Sequence, residues 1–286
     1  MNYMRIAFAS GKGGTGKTTL ATNMFAVLAR EIDHVIYVDA DVEEPNGHIF
    51  LNPDKTDVID VKVPVPVINH EKCTLCGDCV NYCQFNALAI LGEKLLTFPA
   101  LCHSCGACVE LCPEKAISEK QRAIGKITKG SSCQAGYYSG CLNVGEALSP
   151  PLLRTLKSII SQRGTAIIDA PPGTSCPVVE AIQGSDFVVL VTEPTPFGMH
   201  DLQLAYNLTQ DLNIPSGVVI NRSDLGDELA REMIEKEGMT VMLEIPFRRR
   251  IAECYSDGKL NIESDPEFSN ELVKLYDQIC QVVGNG

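Results

Sequence analysis

Short, almost wholly apolar runs recur near residues 4–9, 35–39, 165–169, 186–192, 216–220 and 240–245, and stretches with helical spacing separate them. Strands covered on both faces need no polar alternation, so these runs predict a mostly parallel sheet with helices on both sides. Helices are expected from about 17 to 30, from 202 to 212, and from about 266 to 283, where Leu272, Leu275, Ile279 and Val282 recur at helical spacing. In that last segment Glu267, Glu271 and Asp277 oppose only Lys274, which predicts a helix packed on the core and not a basic membrane helix. The pattern breaks twice. Residues 58–68 alternate Val61, Val63, Val65 and Val67 with Lys62, Pro64 and Pro66; the prolines argue against an interior strand, so the stretch reads as an extended lead. Residues 119–140, polar and Gly-rich, read as a return linker.

Thirteen cysteines change the picture. Eight fall in two runs of identical spacing, Cys73, Cys76, Cys79, Cys83 and then Cys102, Cys105, Cys108, Cys112, the second followed by Pro113. Disulfide frameworks belong to small secreted chains, and residues 1–10 carry one early Arg and no apolar stretch ending in a small-residue cleavage site. Zinc usually takes two separated pairs of ligands, which four cysteines in one close run, occurring twice, fit poorly. Each run instead resembles the bacterial ferredoxin pattern, in which three closely spaced thiolates hold one cubane and the fourth holds the other cluster. That resemblance implies one [4Fe-4S] centre on Cys73, Cys76, Cys79 and Cys112, and a second on Cys102, Cys105, Cys108 and Cys83. Gln84 stands where the second run has Pro113, but that position is not a ligand, so the donor set is intact. His103, inside the second run, is expected in a solvated loop.

The first apolar run leads directly into Gly11, Lys12, Gly13, Gly14, Thr15, Gly16, Lys17 and Thr18, a complete phosphate-loop motif before an expected helix. Strand, glycine loop and helix in this order aim backbone N–H groups and a helix N-terminus at phosphate; Lys17 supplies a cation and Thr18 a hydroxyl ligand for Mg²⁺.

With its earlier lysine, the loop Gly11–Thr19 resembles the deviant phosphate loop of the MinD/ParA family, which includes the nitrogenase iron protein. The resemblance implies an ATP-dependent homodimer in which Lys12 reaches the partner's nucleotide and Thr19 belongs to the nucleotide-binding set. Asp39 and Asp41, at the end of the second apolar run, are similar to that family's first switch. Asp169, before Ala170, Pro171, Pro172 and Gly173, is similar to the second switch. By this likeness Asp41 positions the attacking water, Asp39 and Asp169 support Mg²⁺, the Gly173 N–H senses the γ-phosphate, and Asn221 lies beside the base. Asn221 and Asp224 also resemble the guanine-reading motif of GTPases, although Arg222 replaces its usual Lys; ATP is favoured and GTP stays open. Cys141 and Cys176 are placed like two nitrogenase iron protein cysteines that share a cubane across the dimer, which implies a candidate bridging cluster.

The fold expected is therefore α/β: a P-loop NTPase with a doubly wound, mostly parallel sheet, plus an inserted small α+β bacterial-ferredoxin-like domain. The ATPase would comprise residues 1–68 and 119–286, and the insertion 69–118. The resemblance implies an ATPase with two [4Fe-4S] clusters, ATP and Mg²⁺, coupling hydrolysis to electron transfer. An iron–sulfur or metallocofactor assembly ATPase and a MinD-like positioning regulator are the alternatives. The expected partner is a redox or cofactor-assembly protein. A net charge of −12, from 36 acidic and 24 basic residues, disfavours attraction to nucleic acid or anionic lipid. No apolar run approaches bilayer length, so no membrane insertion is expected. Oxygen-sensitive clusters and free thiols point to a reducing cytoplasm. Arg248, Arg249 and Arg250 read as a solvated helix start, with contact to nucleotide or to an acidic partner left open.

Overall fold

The computed structural model describes residues 3–160, 162–225, 228–262 and 264–284; Met1 and Asn2, in the segment read for a leader, lie outside them. By its contacts the chain forms two compact units, one of residues 1–58, 127–141 and 153–286, the other of 59–126 and 142–152.

The larger unit opens with β1 (Met4–Ala9), α1 (Lys17–Glu31), β2 (Val35–Asp39) and α2 (Gly47–Leu51), and β3 (Asp54–Ile68) carries the chain into the smaller one. There follow α3 (Asp78–Tyr82), β4 (Leu88–Leu91), β5 (Lys94–Thr97) and α4 (Ala107–Glu110). The chain returns along β6 (Ile117–Ser132) and β7 (Ala135–Leu142), and α5 (Pro150–Ile159) begins in the smaller unit and ends in the larger. The rest of the larger unit is β8 (Thr165–Asp169), α6 (Cys176–Ile182), β9 (Phe187–Thr192), α7 (Pro196–Asp211), β10 (Ser216–Asn221), α8 (Glu228–Lys236), β11 (Val241–Ile245), α9 (Arg249–Ser256) and α10 (Pro266–Gly284).

Among the described residues the strands follow the order β11-β10-β9-β1-β8-β2-β7-β6-β3. Those from β11 to β7 pair in parallel, in keeping with the apolar runs of all but β7. Their side chains, with Ile6, Phe8, Ile167 and Val189 fully buried, form one core with Met24, Phe25 and Leu28 of α1. α10 packs on α1, burying Leu272, Leu275 and Ile279, whereas Val282 faces outward. Among the described residues no helix is long and apolar enough to cross a membrane.

Residues 58–68 are extended, as expected, and belong to β3, which lies at the end of the strand order and not in its interior, where Pro64 and Pro66 need not donate to a neighbour on both sides. One expectation is corrected. Residues 119–140 are not a linker but most of β6 and β7. Cys133 and Gln134 between them both take positive φ (51° and 60°), the backbone of a tight hairpin turn.

In the smaller unit β4 and β5 form an antiparallel pair beside α3 and α4. The cysteine repeat is also a backbone repeat. Leu75, Gly77 and Asn86 take left-handed φ in the first run, and Ser104, Gly106 and Lys115 take it at the matching positions of the second. Gly77 and Gly106 each precede a short helix at a φ that a Cβ would strain.

Candidate nucleotide site and cysteine-lined cavities

β1 ends in a loop that turns into α1 through Gly16, at φ 95°. A Cβ there would come within 2.5 Å of Asn221 Nδ2, so the loop accepts only glycine beside that amide. Lys17 then starts α1 almost wholly buried, and its Nζ donates to Asp169 Oδ1 at 2.5 Å. Asp169, at the end of β8, is fully buried and accepts a second bond, 3.1 Å, from the Tyr37 hydroxyl. Burial pushes that phenol well up, and the charge of Asp169 adds to the shift.

Asp39 ends β2 alongside β8, in register with Asp169. Its Oδ2 accepts from Gly47 N–H at 2.9 Å, while buried Oδ1 has no partner among the described residues. Burial raises its carboxyl well above the usual range, the nearby Asp169 adds to this, and Gly47 N–H and Lys17 oppose it. Thr15 Oγ1 and Asn46 Oδ1 are likewise buried without a partner. Such oxygens are costly unless something polar or cationic meets them, and these belong to the phosphate loop and the segment after β2. Asp41 is pushed up to about 6, mainly by burial; Lys17 lowers it and Asp169 raises it.

A cleft of about 380 Å³, within the range of small-ligand pockets, opens over this loop. Gly13, Gly14, Gly16, Lys17, Thr18 and Thr19 line one side, with Asp41, Pro172 and Asn221. Gly11, Lys12, Asp39, Asp169 and Gly173 do not line it. The Gly173 N–H donates to Ser10 O at 2.8 Å, so a phosphate could use it only by exchanging that bond. Asn221 donates through Nδ2 to Thr15 O at 2.9 Å and accepts from Arg222 N–H at 3.0 Å. Asp224 accepts from Phe247 N–H at 2.5 Å and is not among the lining residues. A guanine-reading carboxylate would have to face the ligand, and Asp224 does not line the cleft.

Of the rest of the lining, the sequence offered only Arg248, as an alternative contact to nucleotide. Pro246, Phe247 and Arg248, just past β11, join Tyr255 of α9 and Phe268 of α10 there. Pro246 and Phe247 were signalled only by position, at the carboxyl end of a parallel strand, where such sheets bind ligands. Arg248 lines the cleft and bonds Asp265 at 3.2 Å and Glu271 at 2.6 Å, the contacts the sequence left open, whereas Arg249 and Arg250 are exposed, as a solvated helix start requires. Tyr37, inside an apolar strand, gave no signal.

In the smaller unit two cavities are lined by thiols. Cys73, Cys76, Cys79 and Cys112 line one; Cys83, Cys102, Cys105 and Cys108 line the other, which Cys79 also reaches. Backbone N–H groups of Ala87 and Ala116, matching positions of the repeat, point at Cys83 Sγ (3.4 Å) and Cys112 Sγ (3.2 Å). Ser104 N–H likewise meets Cys102 Sγ at 3.4 Å. Donors aimed at sulfur favour thiolate and tune iron–sulfur potentials. Burial, then the neighbouring thiols Cys102 and Cys105, push Cys108 up to about 11; burial, then Cys76, raises Cys79. Among the described residues no three His, Cys, Asp or Glu side chains close on a single metal ion. A cubane does not ask for that, because each thiolate binds a different iron, and two sets of four thiols with N–H donors fit that donor chemistry. His103 is exposed but not merely solvated, a further correction: its ring stacks on Phe85 at 3.7 Å and 7°, joining the two runs.

Cys141, near the end of β7, and Cys176, at the start of α6, are both exposed.

Comparison with known proteins agrees with the phosphate loop. The chain is 33% identical over 259 residues, 90% of each chain, to "Uncharacterized protein MJ0579" of Methanocaldococcus jannaschii. It is 23% identical over 308 residues to the "Iron-sulfur cluster carrier protein" of Pyrococcus horikoshii, covering 99% of this chain and 88% of that one. Its fold matches the septum site-determining protein MinD complexed with Mg-ADP, also from Pyrococcus horikoshii, with TM-score 0.61, 18% identity, and 98% and 97% of the two chains covered. Residues 6–262 match the family described as the CobQ/CobB/MinD/ParA nucleotide binding domain, and the chain belongs to that family of P-loop nucleotide-binding proteins.

Proposed function

We propose that the protein is an ATP-hydrolysing iron–sulfur protein, a nucleotide-gated homodimer that couples ATP to electron transfer through two [4Fe-4S] clusters in an inserted ferredoxin-like domain. The observation that carries this reading is the grouping of the eight thiols: each cavity gathers three cysteines of one run with the last cysteine of the other, and Cys79, between them, lines both. One set is Cys73, Cys76, Cys79 and Cys112, the other Cys83, Cys102, Cys105 and Cys108. When bound, the clusters supply one-electron chemistry.

The residues of the larger unit divide the work on ATP. Lys17 leaves Asp169 for the β- and γ-phosphates, and the freed carboxylate, with Thr18 and the unpartnered oxygen of Asp39, supports Mg²⁺. Asp41, lining the cleft, orients water when ionised. Gly173 trades its bond to Ser10 for the γ-phosphate, Lys12 serves the partner's nucleotide, and Asn221 faces the base. The acceptor is a redox or cofactor-assembly protein, and a reducing cytoplasm suits the exposed thiols.

Anaerobic purification tests the reading: about eight iron and eight sulfide per chain, with midpoint potentials that shift on adding Mg-ATP, are expected. Absence of acid-labile sulfide, or potentials indifferent to nucleotide, would overturn it. A second reading, cluster carriage, is favoured by the relative named an iron–sulfur cluster carrier and by the exposure of Cys141 and Cys176, which would share a bridging centre. Loss of cluster to an apo-acceptor on adding ATP and a chelator selects the carrier; retention selects electron transfer.

A further inference from the structure

Lys157, on α5, lies outside both the cleft and the cysteine cavities, yet its Nζ donates to two backbone carbonyls of a different helix: Glu180 O and Gln183 O, each at 2.6 Å. These oxygens end α6, where carbonyls lack intrahelical partners and a cation is most favourable. Arg154, one turn earlier on α5, adds a 2.9 Å bond to the Glu180 carboxylate. α6 is only seven residues long and begins three residues after Gly173. A helix so short, clamped at its end, moves as a body when the loop before it moves.

The same α5 starts in the smaller unit, to which residues 142–152 belong. That segment is fastened within its unit: Asn143 N–H donates to Ile124 O at 2.9 Å, and Asn143 Nδ2 to Ala123 O at 3.1 Å. Glu146 pairs with Arg122 and accepts from Leu148 N–H at 3.0 Å. Arg122, Ala123 and Ile124 are in β6, which starts directly after Ala116, the donor to Cys112 Sγ.

We infer that Lys157 is a positioning residue that ties the helix after Gly173 to α5, so that movement of the second switch is passed along the chain to the cysteine-bearing unit. This rests on the nucleotide gating proposed above and names the element that would transmit it.

Hydrogen exchange of the full-length, as-isolated protein, with and without Mg²⁺ and a non-hydrolysable ATP analogue, reads it at residues 143–149. The wild type should change its exchange there by at least about fivefold on binding nucleotide, the low end of ordinary coupling. Lys157→Met should lose that change while binding nucleotide with unaltered Kd, and Lys157→Arg should restore it. An equal response in wild type and Lys157→Met, or none in wild type, overturns the inference. Should Lys157→Met not fold, Arg154→Gln, at an exposed position, must weaken the response; an unchanged one overturns the inference too. Iron and sulfide assayed on the same samples judge the cluster reading separately, because wild type and variant are compared at equal iron content.

Discussion

Beneath the phosphate loop, Phe8, Phe25, Tyr37, Ile167 and Leu272 belong to one extensive apolar core, whereas the buried cluster beneath the cysteine runs is Cys79, Leu88, Leu95 and Ile117, with Cys73, Cys83, Cys108 and Cys112 packed against it. In the larger unit the core holds the strands, and the strands hold the charges: Lys17, Asp39 and Asp169 meet at strand and helix ends that packing has already fixed. In the smaller unit the prospective ligands are themselves part of the core. A cluster of that size supplies little stability without a covalent or metal staple, so the cysteine runs and their iron would stand or fall together, apart from the buried Val61, Val65 and Ile124 of β3 and β6.

Stripping iron breaks this comparison most severely. Chelation under reducing conditions should abolish exchange protection across 69–118 while the larger unit still melts cooperatively; intact protection there after complete iron loss would show that the small core suffices. Next in size is Lys17→Met. It leaves Asp169 buried and uncompensated, at a cost of about 3–5 kcal/mol to the larger unit, and nucleotide affinity should fall at least about 100-fold. Iron content should be unchanged, and a parallel loss of iron would mean that the two units do not hold their chemistry separately. Calorimetry and iron assay decide.

The smallest effect sharpens the picture of the nucleotide site alone. Burial raises Asp41 to about 6, so its contribution to folding is full below the ordinary carboxylate pKa and is lost as pH rises through about 6. Hydrolysis should run the other way, rising through about pH 6 as the water-orienting carboxylate ionises. Asp41→Asn should flatten both profiles; a rising limb that survived the substitution would take Asp41 out of that role.

Among the described residues, six of the seven parallel strands, all but β7, were legible because burial on both faces writes an unbroken apolar run, and their observed limits differ from the expected ones by a residue at most. The β6–β7 hairpin was not legible. Its turn places Cys133 and Gln134 at positive φ, without the Asn or Gly that would announce it, and Ile124 and Ile127 are buried in a stretch that otherwise reads polar. Arg248 stayed undecided for a related reason: a short basic run gives no sign of its partners until Asp265 and Glu271 are brought to it.

Sequence alone determined that this chain carries a phosphate loop and two like-spaced sets of four thiols, because both depend on residue identity at short, countable spacing. Tertiary structure decided what the polar side chains bond to. The Tyr37 hydroxyl meets Asp169, Asp224 serves Phe247 in place of the cleft, and Lys157 closes the end of α6. Those partners lie 132, 23 and 23 positions apart in sequence, and only packing of the sheet and its helices brings such groups within hydrogen-bonding reach.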